Sequence, residues 1–87
     1  MLSKEFMVNS EYGFHLRPAQ ILMESITPFE SKVILKFNGK EANAKSLLNL
    51  MTLGLDNGQS VTVVVDGPDE NEVMKIIDKL FEDGFDE

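Results

Sequence analysis

The amino-acid sequence predicts an α+β fold: an open-faced β-sandwich in which a four-stranded antiparallel sheet carries three helices on one face, in the order β-α-β-β-α-β-α. Three observations carry this expectation. Short runs with strand periodicity alternate with stretches whose apolar residues recur three and four positions apart. Asn38-Gly39, the strongest two-residue hairpin signal, joins two of the strands. The chain has 87 residues, 43% of them hydrophobic and 26% charged, which suits one small core and excludes a two-domain enzyme.

Residues 4–8 read as the first strand, with Phe6 and Val8 on one face, and Tyr12-Gly13 breaks it. From Leu16 the spacing becomes helical, because Ala19, Leu22, Met23 and Ile26 share a stripe and Pro18 sits in the first turn, where a missing N–H is tolerated. Pro28 is expected to stop this helix by pushing Thr27 out of the α region. Val33, Leu35 and Phe37 alternate with Ile34 and Lys36, and the chain returns through residues 40–44. Residues 46–53 form a short helix with Ser46 as N-cap and Gly54 near the C-cap. After the Asp56-Asn57-Gly58 turn, the β-branched residues 61–65 predict a central strand. Asp69 and Glu72 have capping-box spacing, and Val73, Ile76, Ile77, Leu80 and Phe81 stripe the closing helix.

The net charge of −7 is unevenly placed. Residues 1–65 hold six acids and six bases, whereas residues 66–87 hold nine acids against Lys75 and Lys79. A broad basic face for nucleic acid is therefore not expected, although a small phosphate site in the neutral part remains open. The chain has no cysteine, so it has no disulfide, thiolate nucleophile or Cys-based zinc site. It has no apolar run of the length needed for membrane insertion and no pattern expected of a signal peptide. One histidine offers no metal-ligand set.

That histidine, His15, lies at a loop-to-helix junction in Gly13-Phe14-His15-Leu16-Arg17-Pro18-Ala19. The first N–H groups of a helix lack intrahelical partners, and the positive end of the macrodipole attracts anions. An imidazole placed there carries a ring nitrogen that can act as a nucleophile toward such an anion. Arg17 adds a planar fork of donors suited to phosphate oxygens. On spacing alone a second reading stands beside this one: a surface histidine that caps the helix, with Arg17 merely solvated. Five apolar residues, Leu47, Leu48, Leu50, Met51 and Leu53, are too many for one face of a two-turn helix. Leu50 and Leu53 are assigned to the core.

The His15 segment, followed by Lys45-Ser46-Leu47-Leu48-Asn49-Leu50-Met51-Thr52-Leu53-Gly54, resembles the HPr family of histidine-containing phosphocarriers of the phosphoenolpyruvate:sugar phosphotransferase system. The resemblance spans essentially the whole chain, read as a single HPr-like domain over residues 1–87. It implies that His15 accepts a phosphoryl group from phospho-enzyme I on Nδ1 and donates it to the IIA domains of sugar transporters, with Arg17 stabilising the transferring charge. The role is that of a stoichiometric, cytoplasmic, monomeric carrier and not an enzyme, without cofactor or metal. The resemblance also makes Ser46 a candidate regulatory phosphosite for an HPr kinase/phosphorylase, with a catabolite-control regulator as a further partner. It places Leu47, Leu48 and Met51 in an exposed docking patch, with Phe14, Leu16 and Gln20 near it and Arg17 and Lys45 at its rim.

Leu16, Phe14 and Gln20 depart from the residues usual in the family, and the Ser46 segment mixes features of two of its branches, which leaves partner choice open. A nitrogen-branch carrier, a module acting only through Ser46, and an acylphosphatase-like hydrolase are the rival readings. The last is disfavoured by the single Arg and the lack of a glycine loop to cradle phosphate.

Overall fold

The structure, a computed structural model, describes residues 1–10 and 12–86. Four strands, β1 (Leu2–Met7), β2 (Lys32–Phe37), β3 (Lys40–Asn43) and β4 (Ser60–Asp66), form one antiparallel sheet in the order β1-β4-β2-β3. Helices α1 (Leu16–Ile26), α2 (Leu47–Met51) and α3 (Glu70–Glu82) complete the expected α+β open-faced sandwich, and a 3-10 turn, Gly84–Asp86, follows. Among the described residues no helix is long and apolar enough to cross a membrane.

The β-branched strand β4 is central, paired on one side with β1 and on the other with β2. Alternation sends Val61, Val63 and Val65 to the helix side, in register with Phe6 of β1 and with Leu35 and Val33 of β2. The opposite face is more polar. Glu5, Thr62, Lys36 and Glu41 line up across all four strands, and only the half-buried Val64 and Ile34 form an apolar pair beside them. Asn38 and Gly39 both take positive φ, 51° and 78°, as the two-residue turn between β2 and β3 requires.

The first strand is shifted from its predicted bounds and begins at Leu2. Val8 lies beyond its ladder yet stays buried, donating its N–H to the Gln59 carbonyl at 2.8 Å and accepting from the Gly58 N–H at 2.8 Å. Helix α1 does end at Ile26, but Thr27 keeps helical angles of −55° and −38°. The stop therefore comes from Pro28 itself, which has no N–H to continue the ladder. Thr27 closes the last turn, its N–H reaching the Met23 carbonyl at 3.0 Å and its hydroxyl at 2.6 Å.

The expected capping box of α3 does not form. Asp69 is the N-cap residue, but its side chain makes no capping bond. Its carboxylate instead accepts the N–H groups of Glu30 and Ser31, both at 2.9 Å, and the Ser31 hydroxyl. Glu70 does the local work in its place, accepting the Gly67 N–H at 3.2 Å. Gly67 has φ of 157°, and a Cβ there would stand 2.6 Å from the Ser31 Cα, so only glycine lets the two loops meet.

The C-terminal aromatic packing was not predicted. Phe6 stacks on Phe81 at 4.6 Å, Phe85 meets Phe81 edge-on at 4.9 Å, and Phe14 meets Phe85 edge-on at 5.7 Å. This chain of four rings ties the loop before α1 to the end of α3. It corrects the placement of Phe14 at the docking surface: the ring is only 5% exposed, because the core formed by Phe85 draws it inward.

Candidate functional site

Local sequence builds the site at the start of α1. Gly13 donates its N–H to the Ser10 carbonyl at 2.9 Å and adopts φ of 77°. A Cβ at Gly13 would stand 3.0 Å from the Asp56 Cα, so the loop lies flat against its neighbour. Phe14 then anchors the turn, with its N–H on the Leu55 carbonyl at 3.0 Å and its ring in the core. His15 follows as the N-cap, extended at φ −89° and ψ −167°.

The carbonyl of His15 accepts the Ala19 N–H at 3.1 Å, but its side chain makes no capping bond. Pro18 has no N–H, so the orphan donors of this first turn are those of Leu16 and Arg17. No acidic residue occupies that turn, and the positive end of the α1 dipole is not offset within the helix. His15 is half-buried, with Nε2 shut off from solvent. Arg17 is exposed. The arrangement can hold an anion against backbone donors and a guanidinium beside an imidazole whose Nε2 faces inward.

Tyr12, which the sequence marked only as a strand break, lies against this histidine. The two rings are 6.0 Å apart and inclined at 76°, while Tyr12 itself is 75% exposed. The signal was present as an aromatic residue three positions before the histidine, but periodicity does not register loop contacts.

Helix α2 packs against α1 and presents a second set of residues. Ser46 is its N-cap, and its hydroxyl oxygen accepts the Asn49 N–H at 3.3 Å. Leu50 and Leu53 are buried. Leu48 is 77% exposed and Met51 41%, whereas Leu47 is half-buried. Leu16 and Gln20 of α1 are exposed as well. Apolar residues of the two packed helices are thus exposed together with Gln20.

Lys45 differs from expectation. It is half-buried and donates its ammonium to the Phe29 carbonyl, so it is held by the fold instead of standing free at a rim.

Comparisons with known proteins identify the family of this fold. The family model described as PTS HPr component phosphorylation site matches residues 2–83. The chain is 36% identical to the phosphocarrier protein HPr of Xylella fastidiosa (strain 9a5c), over 100% of this chain and 98% of that one. The crystal structure of HPr-C-His from Thermoanaerobacter tengcongensis superposes with a TM-score of 0.95 at 31% identity, covering 100% and 98% of the two chains. Crh, the Bacillus subtilis catabolite repression containing protein, whose structure is a swapped dimer, superposes with a TM-score of 0.76 at 31% identity, covering 97% of each chain. The chain therefore belongs to the HPr family, the phosphocarriers of the phosphotransferase system.

Proposed function

We propose that this chain works as a single domain that carries a phosphoryl group on His15, taking it from phospho-enzyme I and passing it to IIA domains of sugar transporters. The observation that carries the reading is the setting of His15 at the N-cap of α1. Nε2 is closed off from solvent, the Leu16 and Arg17 N–H groups of the first turn lack intrahelical partners, and Arg17 is exposed two residues on. With Nε2 inward, Nδ1 is the nitrogen that attacks phosphorus. Its N–P bond forms as the donor's bond to phosphorus breaks, and the same exchange in reverse loads the acceptor. Phosphoryl transfer needs chiefly positioning and charge stabilisation, which backbone donors and one guanidinium supply without a metal on this protein. A carrier of this kind turns over no free substrate, so the protein is not an enzyme, and its place is the cytoplasm as a monomer.

Leu16, Gln20, Leu47, Leu48 and Met51 form the docking surface in this reading, with Arg17 supplying the positive charge at its edge. Ser46 is the second control point. A phosphate on this N-cap would be tolerated by the helix while adding about −1.5 to −2 charge beside the docking residues. An HPr kinase/phosphorylase would write the mark, and a catabolite-control regulator would read it.

The reading is tested by intact-mass analysis after incubation with phosphoenolpyruvate, Mg²⁺ and catalytic enzyme I. It expects one added phosphoryl group that brief acid treatment removes and that His15→Ala abolishes. No addition with enzyme I from the same organism would overturn it in favour of a nitrogen-branch carrier or a module acting only through Ser46.

A further inference from the structure

Tyr12 is the site residue whose position the fold explains least. A tyrosine that is 75% exposed contributes little to a core, and its loop is held without it. The Gly13 N–H is bound to the Ser10 carbonyl, the Phe14 N–H to the Leu55 carbonyl, and the Phe14 ring is buried. What the Tyr12 ring does meet is His15, with centroids 6.0 Å apart and planes inclined at 76°. Edge-on pairs of this kind have a directional preference set by the ring quadrupoles, so each ring resists rotation of the other.

We propose that Tyr12 is a positioning residue for phosphoryl transfer, its ring bracing the His15 imidazole edge-on and so fixing the plane in which Nδ1 is offered to phosphorus. The inference rests on His15 as the phosphoryl acceptor. The terminal torsion of histidine is broad, so the plane of an imidazole can swing about the Cβ–Cγ bond, and an edge-on neighbour narrows that swing. Burial of Nε2 shows which edge is turned inward here. Rate falls with the fraction of molecules in which the ring plane is misaligned, because the reacting atoms must already be aligned when the partner docks. Removing the brace therefore lowers the competent fraction and leaves the nucleophile, the Arg17 charge and the helix donors in place.

The test compares wild type with Tyr12→Ala and Tyr12→Phe in two measurements. One is side-chain NMR of the imidazole, reading its torsional averaging and tautomer; the other is kcat and KM for phosphorylation by enzyme I and phosphoenolpyruvate. Tyr12→Ala is expected to show an averaged imidazole and a kcat lowered by about threefold to tenfold at nearly constant KM. Tyr12→Phe is expected to restore both, since the brace uses the ring and not the hydroxyl. The proposal is overturned by an unchanged imidazole and kcat in Tyr12→Ala, by a loss confined to KM, which would mark a docking contact, or by a Tyr12→Phe variant as impaired as Tyr12→Ala. These outcomes leave the acceptor reading intact, whereas a wild type that gains no acid-labile phosphate would remove that reading itself.

Discussion

The Asp69 carboxylate fastens Ser31 at the entrance to β2, one oxygen accepting both the Ser31 N–H at 2.9 Å and the Ser31 hydroxyl. The other oxygen takes the Glu30 N–H at 2.9 Å. One side chain thus joins the start of α3 to the loop between α1 and β2. It replaces a local helix cap with a link across 38 residues of sequence.

Acid should loosen this link. The Ser31 hydroxyl, and after it the Glu30 N–H, hold the Asp69 carboxyl below the usual carboxylate range. A carboxylate whose folded value is depressed stabilises the fold above its unfolded value, about 4, and that contribution is lost as pH falls through the lower folded value. Asp69→Asn is expected to lower the denaturation midpoint at neutral pH and to flatten the loss of stability below about pH 4. Urea melts at a series of pH values check both, and an acid limb identical to that of wild type would contradict the assignment.

Phe14 and Leu48 should separate stability from docking. Phe14→Ala empties a buried site between Phe85 and the core, and is expected to cost about 3–4 kcal/mol. Leu48→Ala is expected to stay within about 0.5 kcal/mol of wild type in a urea melt, because that side chain is already solvated in the free protein. The same Leu48 variant is expected to raise KM for enzyme I.

Arg17 should act on the chemical step. It is exposed, so Arg17→Ala is expected to leave the melting curve nearly unchanged while slowing phosphorylation by about 10²-fold. Arg17→Lys restores the charge but not the planar fork, and is expected to recover only part of that loss. Stopped-flow phosphorylation with saturating phospho-enzyme I distinguishes this effect from weakened docking.

Substitutions at Ser46 should separate its cap from the proposed regulation. Ser46→Ala removes the acceptor of the Asn49 N–H and is expected to cost about 1 kcal/mol with little change in transfer rate. Ser46→Asp keeps an N-cap acceptor and adds a charge, so it is expected to spare stability while raising KM for enzyme I on the order of tenfold.

Much of this was legible in the sequence where the pattern is periodic. The valines of β4, the Asn38-Gly39 turn and the stripe of α1 each follow from a spacing of two, a left-handed pair or a spacing of three and four. The misreadings fall where a residue serves a distant partner. Asp69 has the chemistry of a cap, but Ser31 and Glu30 offer it more donors than its own helix does. Phe14 sits beside the histidine in sequence yet is drawn inward by Phe85, a contact across 71 positions. Lys45 reads as a surface cation until the Phe29 carbonyl is brought beneath it. The candidate site was legible to the extent that it is local: His15, Leu16 and Arg17 share one helix start, whereas the Tyr12 contact depends on how the loop folds back.

Phosphoryl transfer through His15 Nδ1 is tested most directly by ³¹P NMR of the protein after phosphorylation by enzyme I and phosphoenolpyruvate, recorded for wild type and His15→Ala. A single phosphoimidazole resonance of the Nδ1 type is expected in the wild type and none in the variant. A resonance of the Nε2 type, or a phosphate that persists in His15→Ala, would contradict it.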